Sequence, residues 1–167
     1  MNVSELSDFF FRLLTFPSSA YVIVPVFLWG LIGHQRRVFI LSLLLFWMST
    51  RINMHLKEFF QVPLNPELGL THTYAFPSGH IQHICVLWGS LANFYQSRLL
   101  NRVVLAMIIA NSIAIYVLKF HSLLDILGGY YVALIILLGA SILIPRRKNV
   151  PSDDTWNNLW CSLFGKG

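Results

Sequence analysis

Of 167 residues, 56% are hydrophobic and 11% charged, against roughly 25% charged in soluble domains, so the chain is composed for a bilayer and not for water. Its formal net charge of +5 comes from lysines and arginines spread over short segments between apolar runs. That scatter excludes the one-sided basic face a nucleic-acid binder needs.

The first element expected is a helix over Ser4 to Phe16, where Glu5 and Asp8 precede Phe9, Phe10, Phe11, Leu13 and Leu14, interrupted by Arg12. That pattern suits a helix lying on the outer membrane surface. It lacks the basic start and small-residue cleavage site of a secretory signal, so it is expected to be retained. Five apolar runs follow, each near the roughly 20 residues a spanning helix requires. They cover Pro17 to Gly33 with Pro25 inside, Val38 to Phe60 with Arg51 inside, Gly79 to Gln96, Val103 to Leu118, and Ser122 to Leu143. At the end, Trp156, Leu159, Trp160, Leu163 and Phe164 recur at helical spacing after Ser152, Asp153 and Asp154, which reads as a capped amphipathic anchor on the cytosolic leaflet. The fold class expected is all-α integral membrane: about five transmembrane helices, an N-terminal interfacial helix and a C-terminal anchor. Residues 1–150 form one membrane domain and 151–167 a cytosolic tail.

Lysine and arginine assign the sides, because cytoplasmic connections carry an excess of them. Arg36 and Arg37, Arg98 and Arg102, and Arg146, Arg147 and Lys148 form one set; the N-terminal segment, the loop Gln61 to Pro77 and the turn at Lys119 form the other. Five spans then place the N-terminus outside, the C-terminus in the cytosol and the long loop on the periplasmic side of a bacterial inner membrane. Cys85 and Cys161 fall on different sides and do not pair.

Ionisable residues at membrane depth are costly and mark functional sites. Lys57 near the end of the second span, His80 at the start of the third, and His121 with Asp125 at the start of the fifth reach the outer face together. Ala75, Phe76, Pro77, Ser78, Gly79 and His80 read as a turn entering a helix, with Ser as cap and Gly admitting close backbone approach. Free N–H groups at such a helix start bind phosphate; the plain alternative is a capped helix with an interfacial histidine. His121 and Asp125, four apart, are helical neighbours, so the carboxylate holds one ring nitrogen while the other faces a substrate. Taken alone, that pair also reads as a buried contact locking the helix.

Three short runs together resemble the type 2 phosphatidic acid phosphatase superfamily. That family has a Lys with Arg-Pro some seven residues on, then Pro-Ser-Gly-His, then Ser-Arg with a His six residues after the Arg and an Asp four beyond. Asn53, Leu56, Lys57, Glu58 and Phe59 resemble the first run; Pro77, Ser78, Gly79 and His80 match the second; His121, Asp125, Ile126, Leu127, Gly128 and Gly129 match the end of the third. The resemblance implies a membrane enzyme acting on a lipid phosphate without metal or cofactor. In it His121 is the nucleophile, Asp125 orients it and His80 is acid and then base, while Lys57, Ser78 and the Gly79 amide hold phosphoryl oxygens. It also leaves room for a lipid headgroup phosphotransferase, or for a non-catalytic relative that binds or transports phospholipid.

Both motif arginines are replaced, the first Arg-Pro by Leu64 and Asn65 and the later Ser-Arg by Ala114 and Ile115. Lys119, two residues before His121, is the expected substitute cation, whereas Arg51 lies about 120° around its helix from Lys57 and is expected to be structural. His83 shares a face with His80 and is expected to support it; a zinc set of His80, His83, His121 and Asp125 is the lesser alternative. His55 and His72 read as interfacial or loop residues, His34 as part of the cytosolic turn, and Tyr74 and Phe76 as lining the entrance. The oligomeric state is left open.

Overall fold

The structure, a computed structural model, describes residues 3–32, 36–64, 74–95 and 97–144. The expected C-terminal anchor, His34, His72, Asn65 and Cys161 lie outside the described residues.

Among the described residues six α-helices and one 3-10 turn follow in order: α1 Val3–Leu14, the turn Phe16–Ser18, α2 Ala20–Ile32, α3 Arg36–Phe60, α4 Gly79–Tyr95, α5 Arg98–Val117 and α6 Leu123–Leu143. Across the described residues the fold is all-helical, with Pro63 and Tyr74 forming an isolated antiparallel bridge. At 1.5 Å per residue α3, α5 and α6 extend about 30 to 38 Å, and by length and composition each is able to cross a bilayer. α2, with Pro25 inside, and α4 are shorter. The α5 helix starts five residues earlier than the apolar run because Ser97 caps it, its hydroxyl accepting from the Leu100 N–H at 3.3 Å.

α4 occupies the centre, packed against α3, α5 and α6. Its apolar core includes Ile81, Ile84, Val86 and Leu87, all essentially without exposure. Lipid tails are as apolar as these side chains, so helix association here relies on close packing and on small residues that admit it. On α6 the buried stripe is Asp125, Gly129, Ala133, Ile136 and Ala140, while Leu124, Leu127, Tyr131, Leu134 and Leu138 face outward. Gly30 on α2 serves the same end: a Cβ there would collide with the Phe39 ring of α3.

The N-terminal segment is docked as well as amphipathic. Phe9, Phe10 and Leu13 of α1 are exposed, yet α1 packs on α5. Asn111 donates to the Leu14 carbonyl and the Ser18 hydroxyl, both at 3.4 Å, and the Trp88 indole donates to the Pro17 carbonyl at 3.2 Å. Polar side chains of α4 and α5 thereby bind the 3-10 turn to the bundle.

Candidate active site

The C-terminal end of α3, the N-terminal end of α4, the turn after α5 and the start of α6 meet at one end of the bundle. The motif residues sit at these termini, which is why positions far apart in sequence face one cavity of about 460 Å³. Lys57, Asn53, Gly79, His80 and His121 form its polar wall, with Tyr74 and Leu64 beside them, and Ser18, Ile23, Phe46, His83 and Ile84 line the remainder. Phe46 precedes Lys57 by eleven residues, about 16 Å along α3, so the cavity runs from the polar end well into the depth of the helices.

His121 reaches this wall through a tight reversal. Leu118 N–H bonds back to the Ala114 carbonyl, Lys119 N–H to Tyr116 and Phe120 N–H to Ile115, at 2.9, 3.0 and 3.1 Å. Lys119 takes a left-handed backbone at φ +55° to complete the turn, a conformation costly for any residue with a side chain. Ser122 then caps α6 in a closed capping box: its hydroxyl accepts from the Asp125 N–H, and Asp125 Oδ2 accepts from the Ser122 N–H and hydroxyl, both at 2.8 Å. The same Oδ2 stands 3.7 Å from His121 Nδ1, with both side chains 5–6% exposed.

The buried His121 ring loses its hydration, and His80 nearby adds a second unfavourable influence on its charged form; Asp125 opposes both. The net effect pushes the His121 pKa down to about 4. The imidazole is therefore neutral at ordinary pH. Its ring centre lies 5.9 Å from that of His80, which is exposed and lines the cavity.

Ser78 is fully buried at the α4 N-terminus. Its N–H donates to the main-chain oxygen of Asp125 at 2.9 Å, and its hydroxyl has no hydrogen-bond partner among the described residues. Lys57, half-buried, donates from Nζ to the Tyr74 carbonyl. Tyr74 belongs to the loop end fastened by Ala75 N–H to the Val62 carbonyl at 2.8 Å.

The structure thus brings His121, Asp125, His80, Lys57, Ser78 and Gly79 together. Lys119 is exposed and does not line the cavity; it stands on the turn two residues before His121. Arg51 is also exposed, its guanidinium 5.8 Å from the Trp47 ring centre on the outside of α3, where stacking on an aromatic face gives it a structural place. His55 faces Glu58 at 3.8 Å with both side chains exposed, and does not line the cavity. His83 lines the cavity one helical turn deeper, with its ring against Phe46 at 5.1 Å. Among the described residues no group of three or more His, Cys, Asp or Glu is placed to hold a metal ion.

The first-motif arginine position, Leu64, lies on the cavity wall. The third-motif position, Ile115, is instead completely buried in the core. Sequence reasoning missed Gln82, which joins α4 to Ser49 and Asn53 of α3 through a buried chain of hydrogen bonds. A glutamine between His80 and His83, at the start of an apolar run, was the available signal.

The PAP2 superfamily model matches residues 48–149. A crystal structure described as that of the first transmembrane PAP2-type phosphatidylglycerolphosphate phosphatase from Bacillus subtilis superposes with a TM-score of 0.73 at 18% identity, covering 86% of this chain and 80% of that one. No curated protein matches the chain.

Proposed function

The chain belongs to the PAP2 superfamily, and from that premise we propose that it hydrolyses a phosphomonoester or diphosphate on a membrane lipid through a phosphohistidine on His121. The observation that carries this reading is the convergence of His121, 3.7 Å from the Asp125 carboxylate, with His80 and Lys57 on one cavity that extends into the helices.

In the first step His121 Nε2 attacks phosphorus, the bond to the lipid oxygen breaks, and His80, protonated, gives its proton to that oxygen. In the second, His80 takes a proton from water, the water oxygen attacks phosphorus, and the phosphorus–nitrogen bond breaks to release phosphate. The neutral state of buried His121 leaves its lone pair free for attack. Asp125 fixes the ring orientation and stabilises the positive charge it acquires. Lys57, the unpartnered Ser78 hydroxyl and the Gly79 amide hold the phosphoryl oxygens, with Lys119 supplying a further cation from the turn before His121. No metal takes part in these steps.

Arg36, Arg37, Arg98 and Arg102 begin α3 and α5, at the ends opposite the cavity. This supports a site facing the periplasm of a bacterial inner membrane, with the C-terminus in the cytosol. One observation favours a second reading, a non-catalytic phospholipid binder: Ile115 fills the place of a phosphate-gripping arginine with core. A headgroup phosphotransferase would share the first step and replace water in the second.

The test is phosphate release from phosphatidate, phosphatidylglycerophosphate and prenyl phosphates by purified protein in detergent with EDTA, beside His121→Ala. Release that persists in EDTA and disappears in the variant is expected. Absence of release from folded wild-type protein on every lipid would move the reading to transfer or to binding.

A further inference from the structure

The buried hydrogen-bond chain between α3 and α4 has a direction. Gln82 Nε2 donates to the Ser49 main-chain carbonyl at 2.8 Å and to the Ser49 hydroxyl at 2.9 Å. Because a main-chain carbonyl only accepts, the Gln82 amide has one allowed orientation, with Oε1 toward Asn53. Asn53 Nδ2 donates to that Oε1 at 2.8 Å and to the Pro77 carbonyl at 3.3 Å. The Pro77 oxygen also only accepts, so two independent carbonyls orient the Asn53 amide the same way. Its own oxygen, Oδ1, carries none of these bonds and is turned toward Gly79, 3.1 Å from where a Cβ on that residue would stand. Asn53 is 4% exposed and lines the cavity.

This places a fixed hydrogen-bond acceptor in the wall beside the Gly79 backbone, one residue from His80. Such an oxygen repels ionised phosphate oxygens, which the neighbouring donors attract, and it is complementary to an O–H group. We propose that Asn53 Oδ1 accepts a hydrogen bond from a hydroxyl bound next to the phosphoryl group, and that Gln82 and Ser49 act as positioning residues that hold it in that orientation. The hydroxyl belongs either to the water that attacks the phosphohistidine or to the lipid headgroup. This inference rests on the phosphatase reading above.

Wild type, Asn53→Leu and Gln82→Met are compared on lysophosphatidate, which carries a free hydroxyl, and on diacyl phosphatidate, which carries none. Readouts are kcat, KM, alkali-stable phosphoenzyme and melting temperature in detergent. If the hydroxyl is that of water, Asn53→Leu lowers kcat by about 10-fold on both lipids and phosphoenzyme accumulates, with KM falling alongside so that kcat/KM is little changed. If it belongs to the lipid, lysophosphatidate alone suffers, through KM, by a similar factor. Gln82→Met, which leaves the Pro77 carbonyl still orienting Asn53, gives the same pattern at smaller size and serves if Asn53→Leu does not fold. Unchanged constants on both lipids, or an equal loss with no phosphoenzyme and a lowered melting temperature, overturn the proposal. No turnover and no phosphoenzyme in wild type on either lipid overturns the phosphatase reading itself, and this inference with it.

Discussion

The amide of Ser78 donates to the main-chain oxygen of Asp125 at 2.9 Å, so the turn that opens α4 and the first turn of α6 are joined through backbone alone. One turn along α6, Gly129 rests on the Ser78 carbonyl. The two motifs that supply His80 and His121 are held as one unit, and a change at their seam is felt at both histidines.

Gly129→Ala tests that seam. The added Cβ would lie 2.7 Å from the Ser78 oxygen and 3.2 Å from Ile81 Cβ, and backbone cannot yield as a flexible side chain does. Destabilisation of about 1–3 kcal/mol is expected, together with loss of phosphate release. A melting curve and activity equal to wild type would show that α4 and α6 are free to separate.

His121→Ala and Asp125→Asn are expected to differ in degree. With His121 as the proposed nucleophile, its loss removes turnover to background. Asp125→Asn keeps an acceptor for Ser122 but loses the charge that balances a positive His121 ring, costing ~100-fold to ~10,000-fold in kcat. Trapped phosphoenzyme should be absent in the first variant and slow to form in the second. Equal activity of Asp125→Asn and wild type would leave Asp125 a helix cap only.

Burial, then the influence of His80, lowers the His121 pKa to about 4, below its ordinary value of 6.5. The unfolded chain therefore binds the extra proton first as pH falls, and stability declines between about pH 6.5 and pH 4, while it is independent of this group above that window. Thermal melts from pH 8 to pH 4 should show this slope in wild type and a flatter one in His121→Gln. The acid limb of activity due to His121 should likewise appear near pH 4 and not near 6.5.

Lys119→Gly separates conformation from charge. The left-handed backbone at φ +55° suits glycine, so a gain of about 1 kcal/mol in stability is expected. If the ammonium attracts the phosphate from the turn before His121, KM rises several-fold while kcat holds within about two-fold. A gain in stability with KM unchanged would make Lys119 a turn residue without a part in binding.

The two absent arginines are not equally restorable. Leu64 faces the cavity, so Leu64→Arg adds a donor where phosphate is expected to bind, and about a 10-fold rise in kcat/KM is anticipated. Ile115 has no exposure at all; Ile115→Arg buries an unpaired charge among Ile81, Ile84 and their neighbours and is expected to prevent folding. The measurements are activity for the first and yield of monodisperse protein for the second.

Much of this was legible in order and spacing. Apolar runs between charges outlined α3 to α6, and Pro77, Ser78, Gly79 and His80 announced a helix start at the right residue. The reading erred by a few residues where a polar cap extended a helix, as Ser97 does for α5, because hydropathy does not register hydrogen bonds at helix ends. The role of Gln82 was not legible, since its partners Ser49 and Asn53 are brought near only when α3 and α4 pack.

By itself the sequence determined the solvent, the helices and the chemistry available at their ends, because composition and periodicity are local properties that each segment carries alone. Tertiary structure decided which of those ends meet, that Lys57, His80 and His121 share a cavity while Arg51 turns outward, and which way the Asn53 amide points. These depend on helix rotation and on main-chain carbonyls contributed by a neighbouring segment, and no single segment contains that information.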